Sequence, residues 1–270
     1  MDQRNIKAEI IRTDYCTDYI HDKHCHSQYE ILFVLEGSVR VNVEGEWVLL
    51  TENSGLVVEP LKYHVVAGNY SGYHRLVLMF PKECIPKEIF AIFHKNISKN
   101  SMFFTGKLAQ IFRNYAAVLE QNDPIYAPLL NAVFTEAIYA LTFDKLNPQT
   151  NKSSKRTEKL KRVLEYIEDH LDQEISLEKL SDEVYISQSS LCHLFKAEMK
   201  ISLKQYILQK KMMYAQTLLQ KGANPGTAAI ACGYRNYASF YKVFLKVTGK
   251  KPADVLPADT GTEGALTKRD

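Results

Sequence analysis

The chain has 270 residues, 46% hydrophobic and 24% charged with a net charge of +3, a composition that excludes a disordered or collagen-like polypeptide and allows one large core or two smaller ones. No apolar run approaches the roughly 20 residues of a membrane helix. The first dozen residues mix charges without an apolar h-region, and the five cysteines are scattered with no C-x-x-C, so the expectation is a cytoplasmic protein without a disulfide frame or a cysteine zinc site.

Taken in chain order, the first notable stretch is HCHSQYEILFVLEG, from His24 to Gly37. In an unbroken strand residues two apart share a face. His24, His26 and Glu30 would then point one way and Cys25 the other. At this point a metal site, a small-molecule pocket and a polar strand mouth are all open. Residues 24–80 are rich in Val, Ile, Leu, Phe and Tyr and punctuated by glycines, which reads as short strands of a sandwich or barrel. SVRVNVEGEWVLL is a hairpin: Val39, Val41 and Val43 alternate with Arg40 and Asn42, and Glu44-Gly45 makes the turn. Trp47 is expected in the core. His64, His74 and Arg75 are further candidates for a cavity in this domain, and parity does not choose between the last two.

From residue 103 the period changes. Leu108, Ile111, Phe112, Tyr115 and Leu119 recur at three and four, as do Leu130, Val133, Phe134, Ala137, Ile138 and Leu141, giving two amphipathic helices broken at Asp123-Pro124. Their apolar faces either cover the strands or meet a second copy. LNPQTNKSSKRTEK (146–159) is polar and lacks periodicity, as a linker does. Residues 1–151 carry 14 Lys and Arg against 17 Asp and Glu, whereas 184–257 carry 11 basic residues against Glu198 and Asp254 alone. That asymmetry points to an anionic partner for the C-terminal half, with double-stranded DNA first among them.

The basic half is helical and repeats itself. YISQSSLCHLFK (185–196) aligns with YRNYASFYKVFL (234–245), matching Tyr185 to Tyr234 and the caps Ser187 and Asn236. Leu191, Leu194 and Phe195 pair with Phe240, Val243 and Phe244 as buried positions. Each copy follows a short helix: one capped by Ser176, the other by Asn224 with Pro225 at its first position. Two helix-turn-helix units result, joined by a helix over 203–220 that opens on an S-x-x-Q capping box, Ser202 to Gln205. Burying the apolar positions leaves Ser189, Cys192, His193, Tyr237, Tyr241 and Lys242 outward, where they can reach base edges. Ser187 and Asn236 at helix N-termini, with Lys196, Lys204, Lys250 and Lys251, suit phosphates.

These residues resemble the two-unit DNA-binding domain of AraC/XylS-type transcriptional regulators over about 157–256. The resemblance rests on Gly233-Tyr234, Phe240, Phe244, the Thr248-Gly249-x-x-Pro252 ending, Ser187, Leu191 and the Leu194-Phe195-Lys196 run. Lys200 departs from it, standing where the family usually carries a glycine, and Gly226 and Ala228 replace larger residues in the second unit. The resemblance implies an α+β multidomain protein: a cupin-like effector barrel (1–100) with two helices, a helical dimerisation segment (101–146), a linker (147–156), an all-α double helix-turn-helix domain (157–257) and a polar tail (258–270). It implies a homodimeric regulator, not an enzyme, more often an activator. The effector would be a carbohydrate or related metabolite, held by His24, His26, Glu30 and His64. The same four residues are similar to the metal motifs of cupins. No cofactor is expected and no metal is favoured, but a divalent metal stays open. A metal-dependent cupin enzyme or a metal-responsive regulator is the alternative.

Overall fold

The computed structural model describes residues 6–13, 20–68, 72–97, 106–143 and 155–256. The expected tail and the linker through residue 154 lie outside these, as does the side chain of His24. Eight strands form two antiparallel sheets. The first has the order β1 (Lys7–Thr13), β8 (Tyr73–Phe80), β3 (Tyr29–Glu36) and β6 (Gly55–Val58). The second has β2 (Ile20–His24), β7 (His64–Gly68), β4 (Ser38–Val43) and β5 (Glu46–Thr51). Alternation decides what each strand contributes. Leu32, Val34, Leu56, Val58, Tyr73 and Val77 of the first sheet meet Val39, Val41, Val48, Leu50 and Val66 of the second in one intersheet core. No strand pairing among the described residues joins the sheet edges.

The opposite face of the first sheet carries Tyr29, Ile31, Phe33, Leu76, Leu78 and Phe80, and these pack against three helices. The two expected in this half are α2 (Lys107–Leu119) and α3 (Ala127–Phe143), separated by a turn in which Asp123 accepts from the Ile125 N–H. The third, α1 (Lys87–Ile97), corrects the expectation of two: it buries only Ile89, Phe93 and Ile97, a stripe too sparse to stand out in a stretch read as strands. The outer face of the second sheet carries Val65, which with Tyr63 just before β7 packs into the first helical unit beside Leu160, Leu164, Phe195 and Tyr206. The order of layers is therefore helices, sheet, sheet, helices.

This docking bears on the β4–β5 hairpin, whose turn lies at Glu44-Gly45 as expected. Glu44 (φ 47°) and Gly45 (φ 87°) both take positive φ, as a two-residue primed turn requires. A Cβ on Gly45 would lie 2.5 Å from Leu160, so glycine also permits the close approach of the helical half. Asn42, expected outward, is fully buried: its Nδ2 donates to the Glu198 carbonyl and its Oδ1 accepts from the Gly45 N–H. Trp47, expected in the core, is half-buried with the Arg40 guanidinium 4.9 Å from its ring centroid.

The C-terminal half comprises α4 (Lys155–Asp169), α5 (Leu177–Glu183), α6 (Gln188–Met199), α7 (Leu203–Gln220), α8 (Pro225–Ala231) and α9 (Tyr237–Thr248). α4 begins inside the stretch expected as linker, because Leu160 and Val163 are anchored and the turn before them continues the helix. Ser176, Ser187, Ser202, Asn224 and Asn236 all cap their helices through side-chain oxygens, and Ser202 with Gln205 completes the capping box. Lys200 ends α6 in the left-handed region (φ 58°), where Gly249 ends α9. Holding a non-glycine residue there costs on the order of 1 kcal/mol.

Candidate functional site

In the first unit α5 leads into α6, and Leu191, Phe195 and Met199 are buried beneath α6. Ser189 and His193 are exposed and Cys192 is half-buried, so the expected reading face reaches solvent. In the second unit Phe240 and Phe244 anchor α9, leaving Tyr237 and Lys242 exposed and Tyr241 half-buried. Leu194 and Val243, expected inward, are half-buried at the margin of these faces. Ser187, Lys196, Lys204, Asn236, Lys250 and Lys251 are all exposed: Ser187 and Asn236 cap the recognition helices, Lys196 lies in the last turn of α6, Lys204 in the first turn of α7, and Lys250 and Lys251 follow α9. α7 has 18 residues and spans roughly 27 Å between the units.

The repeat needs one correction. The recognition helices align with the 49-residue offset of Ser187 and Asn236, but the preceding helices do not. Ile186 N–H donates to the Ser181 carbonyl, and its counterpart is Tyr234 N–H donating to Ala229, an offset of 48. Tyr185 (φ 52°) therefore corresponds to Gly233 (φ 82°), not to Tyr234, and Arg235 is an extra turn residue. Tyr185 is 86% exposed, whereas Tyr234 packs on Phe240 at 5.6 Å. Arg235 is exposed beside the α9 cap, and only the one-residue difference in turn length reveals it.

The two halves meet through a buried ionic cluster that sequence reading missed. Glu44 accepts from the Tyr206 hydroxyl at 2.5 Å, from Lys210 Nζ at 3.2 Å and from the Tyr63 N–H at 2.7 Å. Lys210, 3% exposed, also donates to the Leu61 carbonyl at 2.9 Å and pairs with Glu168. Burial alone would lower the Lys210 pKa, but the carboxylates of Glu44 and Glu168 outweigh it and raise the value. Burial first, then Glu44, push the Tyr206 hydroxyl well above its usual range, so it remains a donor. A cavity of about 400 Å³ opens beside this cluster, lined by Glu44, Glu59, Lys62, Leu160, Leu164 and Glu168 among others.

The unbroken strand expected through His24, His26 and Glu30 is interrupted: β2 ends at His24, β3 begins at Tyr29, and the bend between them sets His26 beside Glu30 and His64. Glu30 Oε2 lies 2.8 Å from His26 Nε2 and 3.0 Å from His64 Nε2. His64 is fully buried, Glu30 nearly so and His26 half-buried. Each imidazole Nδ1 faces a backbone carbonyl, Gln28 at 2.9 Å and Lys62 at 3.0 Å. Carbonyls only accept, so each Nδ1 carries the proton that donates. The backbone of His24 pairs with His64 in the β2–β7 register. Cys25 packs on the other side, against the helical half, and burial pushes its thiol up to about 12. His74 turns away to an ion pair with Glu36 at 3.0 Å, while Arg75 is buried.

Residues 7–138 match the family model described as AraC-like ligand binding domain, and residues 180–257 match a helix-turn-helix domain model. The probable transcriptional regulator LumQ of Photobacterium leiognathi is 26% identical over 236 residues, which cover 85% of this chain and 89% of that one. The arabinose operon regulatory protein of Escherichia coli K12 is 25% identical over 136 residues, covering 50% of this chain and 46% of its own. Among solved structures, apo ToxT from Vibrio cholerae is 12% identical with a TM-score of 0.42, covering 93% of this chain and 96% of that one.

Proposed function

The chain belongs to the AraC/XylS family of transcription regulators, and from that premise we propose that it is a cytoplasmic homodimeric activator whose effector alters how the β-domain holds its two DNA-reading units. The protein is a DNA-binding regulator with an effector-binding domain. The observation that carries the finer reading is the pairing of two capped recognition helices with exposed polar faces on a domain of basic excess. Ser189, Cys192 and His193 read one half-site, and Tyr237, Tyr241 and Lys242 the next. Ser187, Lys196, Lys204, Asn236, Lys250 and Lys251, joined by Arg235, hold the phosphates. Dimerisation is supported by α3, which exposes Leu129, Tyr139 and Phe143 although its other face is buried on the sheet.

The test is the salt dependence of binding to an operator selected from a random duplex pool. If the four lysines and Arg235 each neutralise a phosphate, the slope of log K against log salt is about −4.5, and affinity falls roughly 500-fold between 50 and 200 mM. Fluorescence anisotropy measures both. A salt-insensitive complex, or one without sequence preference, would sink this reading.

A metal-responsive regulator is a second reading, favoured by the polar cluster of the β-domain. With each Nδ1 held by a backbone carbonyl, the Nε2 atoms of His26 and His64 both turn toward one Glu30 oxygen, so three possible ligand atoms converge on one point. The three ligand atoms lie within 4.8 Å of one another, and two imidazoles with a carboxylate suit a divalent first-row metal. On this reading His26, Glu30 and His64 hold the ion, which supplies a fixed positive centre for an effector oxygen. Elemental analysis of protein purified without chelator decides. Near-stoichiometric metal, reduced at least tenfold in Glu30→Gln, is the expected result of this reading. Metal-free protein with an intact fold leaves the three residues as hydrogen-bonding groups of a metabolite pocket.

A further inference from the structure

Arg75 is 6% exposed and sits on β8 opposite Ile11 of β1 and Val34 of β3. It has the parity of Tyr73 and Val77, which face the intersheet core, so the guanidinium enters the space between the sheets. Among the described residues no carboxylate pairs with it. Its contacts are with Tyr73, whose hydroxyl accepts from Nη1 at 3.4 Å and whose ring centroid lies 5.7 Å from Cζ. Nε is buried without any hydrogen-bond partner.

A guanidinium stays charged at every relevant pH, so it cannot escape burial by losing its proton. A buried charge with one long neutral hydrogen bond and an orphan Nε–H is uncompensated, and such groups persist where function retains them. We propose that Arg75 is the anchor for the effector and that the effector carries a carboxylate. Nε–H and Nη2–H form the edge that matches the two oxygens of a carboxylate; Nε is buried without a partner, and the one hydrogen bond of the guanidinium among the described residues comes from Nη1. The lining around it is Val34, Val77 and the Tyr73 ring, which suits an apolar or aromatic body behind the acid group. Hydroxyls on that body would turn toward His26, Glu30 and His64, which share the intersheet side. This deepens the effector-binding reading and rests on it. It narrows the ligand from a neutral sugar to an organic or sugar acid.

The experiment uses the full chain and simple anions as probes. Unfolding of the β-domain is followed in sodium acetate, sodium benzoate, sodium phosphate and sodium chloride at equal ionic strength, for the native chain and for Arg75→Met. In the native chain the carboxylates raise Tm by several degrees with a saturable dose response, and chloride does not. Arg75→Met abolishes that response. Its Tm in chloride lies a few degrees above the native value, because an apolar side chain of similar length replaces an uncompensated charge. Identical salt responses in the two proteins would overturn the proposal, as would a lower Tm for the methionine variant in chloride. A response to phosphate alone would overturn the carboxylate assignment. Operator binding is measured on the same samples, so a chain that binds DNA normally but ignores carboxylates removes only this inference.

Discussion

Replacing Lys210 by methionine is expected to release the helical half from the β-domain. Lys210 is the one described cation between Glu44 and Glu168, and it holds the Leu61 carbonyl as well. Removing one member of a buried pair costs roughly 3–5 kcal/mol when the other is left without compensation. Here Glu168 is 38% exposed and finds water, and Glu44 keeps its bonds from Tyr206 and the Tyr63 N–H, so about 2–4 kcal/mol is the fitting range. Small-angle scattering should then show a larger radius of gyration, with operator binding in the absence of effector tightened by the lost docking energy. Replacing Glu44 by leucine in the same chain should recover part of the stability, because no carboxylate remains buried at the turn. The pH dependence has a definite sign. The folded pKa of Lys210 is raised, so its contribution is whole below the ordinary lysine value near 10.4 and is lost only as pH climbs through the folded value. Docking that is constant from pH 6 to 9 and loosens above 10 is the expected profile. A variant that stays compact, with unchanged operator affinity, would show that Glu44 and Lys210 are not what holds the halves together.

That seam is also where sequence reading stopped. The hairpin, the two amphipathic helices, the caps and both recognition helices were legible because local rules make them: alternation of Val39, Val41 and Val43, a side-chain oxygen before each helix, apolar residues at three and four. The meeting of His26, Glu30 and His64 was legible from their likeness to the metal motifs of cupins and not from parity, because His26 lies in the bend between β2 and β3 and not in an unbroken strand. Glu44 and Lys210 are 166 residues apart, and alone they read as a turn glutamate and a solvated helix lysine. Asn42 shows the same limit. Its place in an alternating strand argues for solvent, and only the arrival of the Glu198 carbonyl from another domain makes its burial affordable. The turn before α9 is a subtler case. One added residue, Arg235, shifts the match of Tyr185: side-chain similarity pairs it with Tyr234, whereas the positive φ pairs it with Gly233.

Substituting the reading faces should separate specificity from affinity. His193→Ala in α6 and Lys242→Ala in α9 each remove an exposed group that can reach a base edge, without touching Leu191, Phe195, Phe240 or Phe244 beneath. A good base contact discriminates by about 1–3 kcal/mol, so each change should weaken the selected operator roughly 10- to 100-fold while binding to random duplex changes little. The two residues lie on helices joined by the 18-residue α7 and share no partner, so their effects should add, giving on the order of 10²–10⁴ in the double variant. Lys250→Ala with Lys251→Ala should behave differently. Both specific and random duplex should lose affinity together, and the salt slope should shrink by about 2. Anisotropy titrations at three salt concentrations distinguish the patterns, with circular dichroism confirming that the helices persist. If His193→Ala weakened random and selected duplexes equally, α6 would be a phosphate-holding helix and base reading would pass to α9. That outcome has a structural precedent in the chain itself. Lys196 and the capped N-terminus at Ser187 place phosphate-binding groups on the same helix as His193, so one half-site could be held by charge and the other read by sequence.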